Sequence, residues 1–153
     1  PKARGYEFWL MAEARKRNPK IMLEGLPWAF PGWLEGRFTR DSAGWFAAFL
    51  EAARKHHNLE IDWLAAAQNE QGTDLGWIRD HLRPTLDARG FKHVKLQGPD
   101  DDDDFWGIFD TLEKNPELDR LIDAVGYNRV RGKPFRIAEI YQEAERMLAG
   151  GPA

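Results

Sequence analysis

Apolar positions along the chain switch repeatedly between a spacing of three to four and short unbroken runs. That alternation predicts helices interleaved with buried strands. "YEFWLMAEARKRN" places Tyr6, Trp9 and Leu10 on one helical face and gathers basic residues in its last turns, where the helix dipole favours cations. Asn18-Pro19 stops it, because proline pushes the residue before it out of the helical region. "KIMLEGLPW" then reads as a short buried strand ending around Gly25 to Pro27. "RDSAGWFAAFLEAARKHHN" is the clearest helix: Asp41 or Ser42 is placed to cap it, and Trp45, Phe46, Phe49, Leu50 and Ala53 form its apolar stripe. "LEIDWLAAAQ" is the next strand. A helix then starts near Thr73 or Asp74 and stops at Gly90, with Pro84 inside it predicting a kink or a split.

"FKHVKLQG" is a third strand. The aspartate run Asp100 to Asp104 precedes "FWGIFDTLEKN", where Phe105, Ile108, Phe109 and Leu112 share a face. Asn115-Pro116 reads as an N-cap followed by proline at the first helical position. "AVGYN" and "PFRIAEI" are two more short strands, and "YQEAERMLAGG" is a terminal helix with a glycine stop. Strands separated mostly by helices give an α/β class with a parallel sheet. The sheet is either open and doubly wound or part of a (βα)8 TIM barrel, and in both function collects at the carboxyl ends of the strands. No glycine fingerprint for a dinucleotide and no phosphate loop is present, which favours the barrel.

Composition changes this picture little. The 153 residues suffice for one domain with a core, and a net charge of -3 gives no footprint for nucleic acid. No apolar run reaches membrane-spanning length. Cysteine is absent, so thiolate metal sites and disulfides drop out. The chain starts at Pro1 inside a helix-like pattern, which reads as a piece of a longer protein spanning 1–153 of one incomplete domain. Seven Trp and nine Phe are unusual for this length, and flat aromatic faces serve both cores and sugar sites.

The strand ends carry the candidate chemistry. Two of the five end in a glutamate: Glu70 after "QN" and Glu139 in "AEI". Paired carboxylates are what glycoside hydrolysis needs, one protonated to assist the leaving oxygen and one ionised to attack or to activate water. Asn69 beside Glu70 can donate a hydrogen bond to a sugar hydroxyl, and Trp28 and Trp33, set among prolines and glycines, can wall a sugar ring. Each has a plainer reading. Glu70 can be a solvated loop residue, Glu139 an acid at a helix start, and the two tryptophans ordinary packing. His56 and His57 end a surface helix without an HExxH pairing, so no metal or organic cofactor is expected.

"GYEFWLMAEARKRNPKIMLEGLPWAFPGWL", "NLEIDWLAAAQNE", "LDARGFKHVKLQGPD" and "NPELDRLIDAVGYN" together resemble glycoside hydrolase family 59, the galactocerebrosidase (galactosylceramidase) family. The likeness covers most of residues 5 to 128 and is weaker beyond. It implies a retaining β-galactosidase of glycosphingolipids built on a (βα)8 barrel, of which this chain holds roughly strands three to seven. It further implies Glu70, after Asn69, as acid/base and Glu139 as nucleophile. Trp28 is similar to the family's substrate-lining tryptophan, and Tyr127 and Asn128 stand after the sixth strand as substitutes for a His-Tyr-Pro-like stretch usual in the family. The chain departs from the family pattern at Gln68, usually tryptophan, and at Glu24, usually apolar, where burial of a lone charge is costly. The implied partner is a β-galactoside or glycosphingolipid, with the missing barrel segments or self-association closing the sheet. The implied compartment is lysosomal or secreted. Two alternatives stand beside this reading: a barrel fragment that only binds carbohydrate or another chain, and a different retaining β-glycosidase of the same clan.

Overall fold

The computed structural model describes residues 5–66, 72–100 and 105–126, and four parallel strands organise them. The strands are β1 (Glu24–Gly25), β2 (Trp63–Ala65), β3 (Lys95–Asp100) and β4 (Ala124–Gly126), hydrogen-bonded in the order β1-β2-β3-β4. Neighbours in space are therefore neighbours in sequence, with no reversal of order, and every pair is parallel. Helices α1 (Tyr6–Arg17) and α2 (Arg40–His57) flank β1 in the chain. Between β2 and β3 lies one helical rod, α3 (Leu75–Trp77), a π-helical turn over Ile78–Leu82, and α4 (Arg83–Ala88). After β3 come α5 (Phe105–Lys114) and the short α6 (Pro116–Asp119). The expected strand "PFRIAEI", the terminal helix and residues 101–104 of the aspartate run lie outside the described residues.

Why the core sits where it does follows from strand alternation. Leu23, Leu64, Val94 and Leu96 turn to the helix side and join Phe46, Leu50, Ile78, Leu82 and Leu86 in one buried cluster. Gly25 belongs to that side too: a Cβ there would stand 2.7 Å from Cε1 of Phe49, so any side chain at 25 requires that ring to shift. The opposite sheet face carries Glu24, Trp63 and Lys95 in one row, with the Lys95 ammonium 5.0 Å from the Trp63 ring centre. Glu24 is exposed on that face, so the cost expected for burying it in a strand does not arise among the described residues.

The amino-terminal edge of the sheet is locked by two matching pincers. Asp62 donates its backbone N–H to the Leu23 carbonyl and accepts the Leu23 N–H on Oδ2 at 2.8 Å. Asp123 does the same to Leu96, at 2.8 and 2.9 Å. Each pincer seats one strand start against its neighbour and so sets register. Arg15 from α1 reaches the same Asp62 oxygen at 2.9 Å. Arg83 uses its fork on the carbonyls of Phe91 and Val94, both 2.8 Å away, and so ties α4 to the start of β3.

Two local expectations resolve differently, and a third takes a form of its own. In α1 the buried side is Phe8, with Met11 and Ala12 partly buried, whereas Tyr6, Trp9 and Leu10 are exposed. The helix is apolar on two opposite faces, and the one that wins is the one whose Phe8 stacks on Phe49 and on His57, the latter at 4.3 Å. The cap of α2 is Thr39, not Asp41 or Ser42: the Thr39 hydroxyl accepts from the Ser42 N–H while the Ser42 hydroxyl accepts from the Thr39 N–H, a reciprocal capping box. Pro84 does divide its helix, at the start of α4, and the division is a π-helical turn rather than a break. The turn before it widens so that the Arg83 N–H reaches back to Ile78, five residues away, which makes room for a ring that has no N–H to give. Gly90 ends the rod at φ 81, as its position suggested.

Candidate functional site

The carboxyl end of β1 leads into the loop that holds Trp28 and Trp33. Both indoles lie largely outside the core, 75% and 68% exposed. Between them Phe30 turns inward and packs on Trp45 and Phe46, at ring distances of 5.4 and 6.0 Å. One aromatic thus anchors the loop while two flank it. That is a workable arrangement for holding flat apolar faces toward a ligand, because exposing two indoles costs hydrophobic free energy that a bound ring recovers.

The carboxyl end of β2 is braced on both sides. Ala66 donates its N–H to the Gln97 carbonyl of β3 at 2.9 Å. Its own carbonyl accepts the Thr73 hydroxyl at 2.7 Å, across the segment that carries Asn69 and Glu70. Asp74 then caps the next helix by accepting the Trp77 N–H at 2.8 Å, as one of the two expected starts. Trp77 is buried, and its indole N–H donates to the Thr39 carbonyl at 2.7 Å. The loop after β1 and the loop after β2 are therefore joined through Trp77 and the cap of α2. At the end of β3, Gln97 pairs with Ala124 and Asp100 with Gly126, so β3 carries one extra residue, a bulge of the kind found beside functional sites.

Asn69, Glu70, Tyr127, Asn128 and Glu139 lie outside the described residues. Of the sequence-derived site residues, Trp28 and Trp33 are described, and they share the loop at one strand's carboxyl end. Thr39, Thr73 and Trp77 were not anticipated in supporting roles. The pattern Thr-x-x-Ser at 39–42 was the available signal for the first; the others bond to distant carbonyls, which no local pattern announces. A separate cleft of about 660 Å³ runs between α2 and α4, lined by Arg40, Asp41, Asp80, His81, Thr85 and Arg89. None of these is a sequence-derived site residue. Asp80 there is ion-paired with Arg79, which holds its carboxyl below the ordinary range. Among the described residues no group of three or more His, Asp or Glu is placed to hold a metal, and no helix is long and apolar enough to cross a membrane.

A model of glycosyl hydrolase family 59 matches residues 2–146. The chain belongs to that family. Within it, the chain is 39% identical over 129 residues to the galactocerebrosidase of Danio rerio, covering 80% of this chain and 19% of that protein. It is 38% identical to that of Mus musculus and 36% identical to that of Homo sapiens, each over 130 residues. This family 59 chain thus spans 18–19% of the length of these curated relatives. Among solved structures, SrfJ from Salmonella typhimurium superposes with a TM-score of 0.67 at 18% identity, over 78% of this chain and 32% of that one. At that identity the likeness speaks to the fold: helices alternating with a parallel four-stranded sheet.

Proposed function

We propose that this family 59 chain is part of a retaining β-galactosidase acting on galactosylceramide-like glycosphingolipids, with the described strands forming an arc of a (βα)8 barrel. The observation that carries this reading is the family match across residues 2–146, with relatives named galactocerebrosidase. The strand order without reversal supports the barrel, since an open doubly wound sheet changes direction at its switch point. Glu70 follows Ala66, at the carboxyl end of β2, by four residues, where a barrel keeps its catalytic groups.

On this reading Glu139 attacks the anomeric carbon while Glu70 protonates the glycosidic oxygen. Glu70 then takes a proton from the water that releases the sugar. Retention asks for the two carboxyls at about 5–5.5 Å. The mechanism asks that one carboxyl of such a pair be held neutral until its proton is needed. Asn69, Tyr127 and Asn128 supply hydrogen bonds to sugar hydroxyls, and Trp28 and Trp33 an apolar wall. The test is Glu70→Gln in the complete enzyme. Turnover of an alkyl β-galactoside, whose leaving group needs protonation, falls far more than that of an activated aryl β-galactoside. Equal losses on both overturn the acid role.

A second reading is favoured by the exposure of Trp28 and Trp33 in a chain that spans so little of its relatives: this segment by itself binds a sugar without cleaving it. Quenching of tryptophan fluorescence by galactosides without aryl-galactoside hydrolysis is its signature. Hydrolysis by this chain, abolished by Glu70→Gln, refutes it.

A further inference from the structure

We infer that Trp77 is a positioning residue for the exposed pair Trp28 and Trp33, holding from one buried indole both anchors of the loop that carries them. This rests on the reading in which those two indoles wall a sugar. The segment from Leu26 to Phe38 contains no helix or strand, so side chains must hold it. Its first anchor is Phe30, whose ring meets Phe46 at 6.0 Å, and Phe46 in turn meets the Trp77 ring at 5.8 Å. Its second anchor is the pair Phe38 and Thr39. The Phe38 ring lies 5.4 Å from that of Trp77, and the Thr39 carbonyl accepts the indole N–H at 2.7 Å. That bond is the shortest of three on the same carbonyl, beside those from the Ser42 hydroxyl at 2.8 Å and the Ala43 N–H at 3.2 Å. Trp77 is itself fixed: it is 3% exposed, and its backbone N–H bonds the Asp74 carboxylate at 2.8 Å.

The physical logic is pre-organisation. Large exposed side chains on an irregular loop sample many conformations, and a ligand bears the entropy of ordering them unless the protein has done so first. Trp33 lies in sequence between the anchored rings of Phe30 and Phe38, and Trp28 between Phe30 and the end of β1. Both rings reach Trp77, Phe38 directly and Phe30 through Phe46. Because Trp77 belongs to the helix after β2, it places the loop after β1 against the next strand's helix and not only against its own, α2. A misplacement of about an ångström is enough to impair a site whose groups must meet a ligand in one geometry. Trp77 therefore acts on a sugar only through where Trp28 and Trp33 stand.

The experiment uses this chain labelled with fluorotryptophan, with Trp28→Phe and Trp33→Phe assigning their fluorine resonances. Circular dichroism and thermal melts check that each variant is folded. Trp77→Phe keeps a ring and gives up the N–H, and it shifts the Trp33 resonance, the nearer of the two in sequence to Thr39. Trp77→Leu gives up the ring contacts as well and shifts both resonances. Methyl β-galactopyranoside, titrated against the same resonances, binds Trp77→Leu severalfold more weakly than the parent. Asp123→Ala, which loosens the opposite edge of the sheet, lowers stability and leaves both resonances in place. Unmoved Trp28 and Trp33 resonances in both Trp77 variants overturn the proposal, as do equal shifts in Asp123→Ala. Where the parent binds the galactoside, moved resonances with unaltered affinity overturn it too. If Trp77→Leu does not fold, Trp77→Phe decides alone, by its Trp33 resonance and its galactoside affinity. The sugar wall fails separately: resonances that respond to Trp77 but not to the galactoside in the parent keep the positioning role and discard the wall.

Discussion

Replacing Asp62 tests how the sheet is held in register. Its Oδ2 accepts two hydrogen bonds, from the Leu23 N–H at 2.8 Å and from Arg15 at 2.9 Å. The two are not equal in worth. The Arg15 and Asp62 side chains are 31% and 37% exposed, so solvent screening limits their ion pair to about 0–1 kcal/mol. The Leu23 bond is different: Leu23 is 5% exposed, and an amide there that loses a charged acceptor costs about 1.5–3 kcal/mol. Asp62→Ala removes both and is expected to destabilise by about 1.5–4 kcal/mol. Asp62→Asn keeps an oxygen for Leu23 and gives up only the charge, so it costs about 1 kcal/mol or less. Asp123 supplies an internal control, because it makes the same pincer on the fully buried Leu96 and has no guanidinium beside it among the described residues. Asp123→Ala therefore tracks the amide part alone. Urea unfolding followed by circular dichroism, with the slope checked for constancy, reads all three. If Asp62→Asn costs as much as Asp62→Ala, the ion pair outweighs the amide bond and this ranking is wrong.

Gly25→Ala forces a Cβ to within 2.7 Å of Phe49 and is expected to cost about 1–3 kcal/mol, with Phe49→Leu in the same chain recovering most of it; a neutral single mutant means the ring moves aside freely. The hydrogen bond from Arg54, at 2.7 Å, is the main cause that holds the Glu60 carboxyl below its ordinary value of 4.5. A lowered folded-state value means its contribution is fully present above the unfolded value of 4.5 and is lost as pH falls through the lower folded value. Glu60→Gln should therefore flatten stability against pH below about 4.5 and lower it slightly at neutral pH, and melts from pH 3 to 7 show whether it does.

Four of the strands were legible because each is an apolar run ending in glycine or in polar residues, with a helical spacing between them. The face of α1 was not legible. Tyr6, Trp9 and Leu10 repeat at the same interval as Phe8, Met11 and Ala12 on the opposite side of the helix, and only contact with Phe49 and His57 decides between them. The cap of α2 misread for a similar reason: Thr39, Asp41 and Ser42 are all capping residue types, and the reciprocal bond between Thr39 and Ser42 settles which one serves. Pro84 announced a disturbance, and the form it took depends on a backbone bond five residues long that no residue type encodes. At the site, prolines and glycines around Trp28 and Trp33 marked an aromatic loop held away from regular structure. Thr73 and Trp77 stayed hidden because their partners, Ala66 and Thr39, are identified by distance in space alone.

The two ends of the sheet divide the work. At the amino-terminal edge lie Asp62, Asp123, Arg15 and the fork of Arg83, all spent on strand starts. At the carboxyl-terminal edge lie the exposed Trp28 and Trp33, the Thr73–Ala66 bond, the Thr39–Trp77 bond and the bulge of β3. Register in a parallel sheet need be fixed only once per strand pair, since a slip of one residue moves every later side chain to the wrong face. Fixing it at the strand starts leaves the strand ends free to diverge into loops without loss of alignment. It follows that the Asp62 and Thr73 substitutions should differ in size. Asp62→Ala loosens a strand start and lowers global stability by the larger amount, whereas Thr73→Val removes one hydrogen bond at a strand end, to the Ala66 carbonyl, and costs about 1 kcal/mol in urea unfolding. Equal losses from the two would mean that strand starts and strand ends form a single cooperative unit, with no division between them.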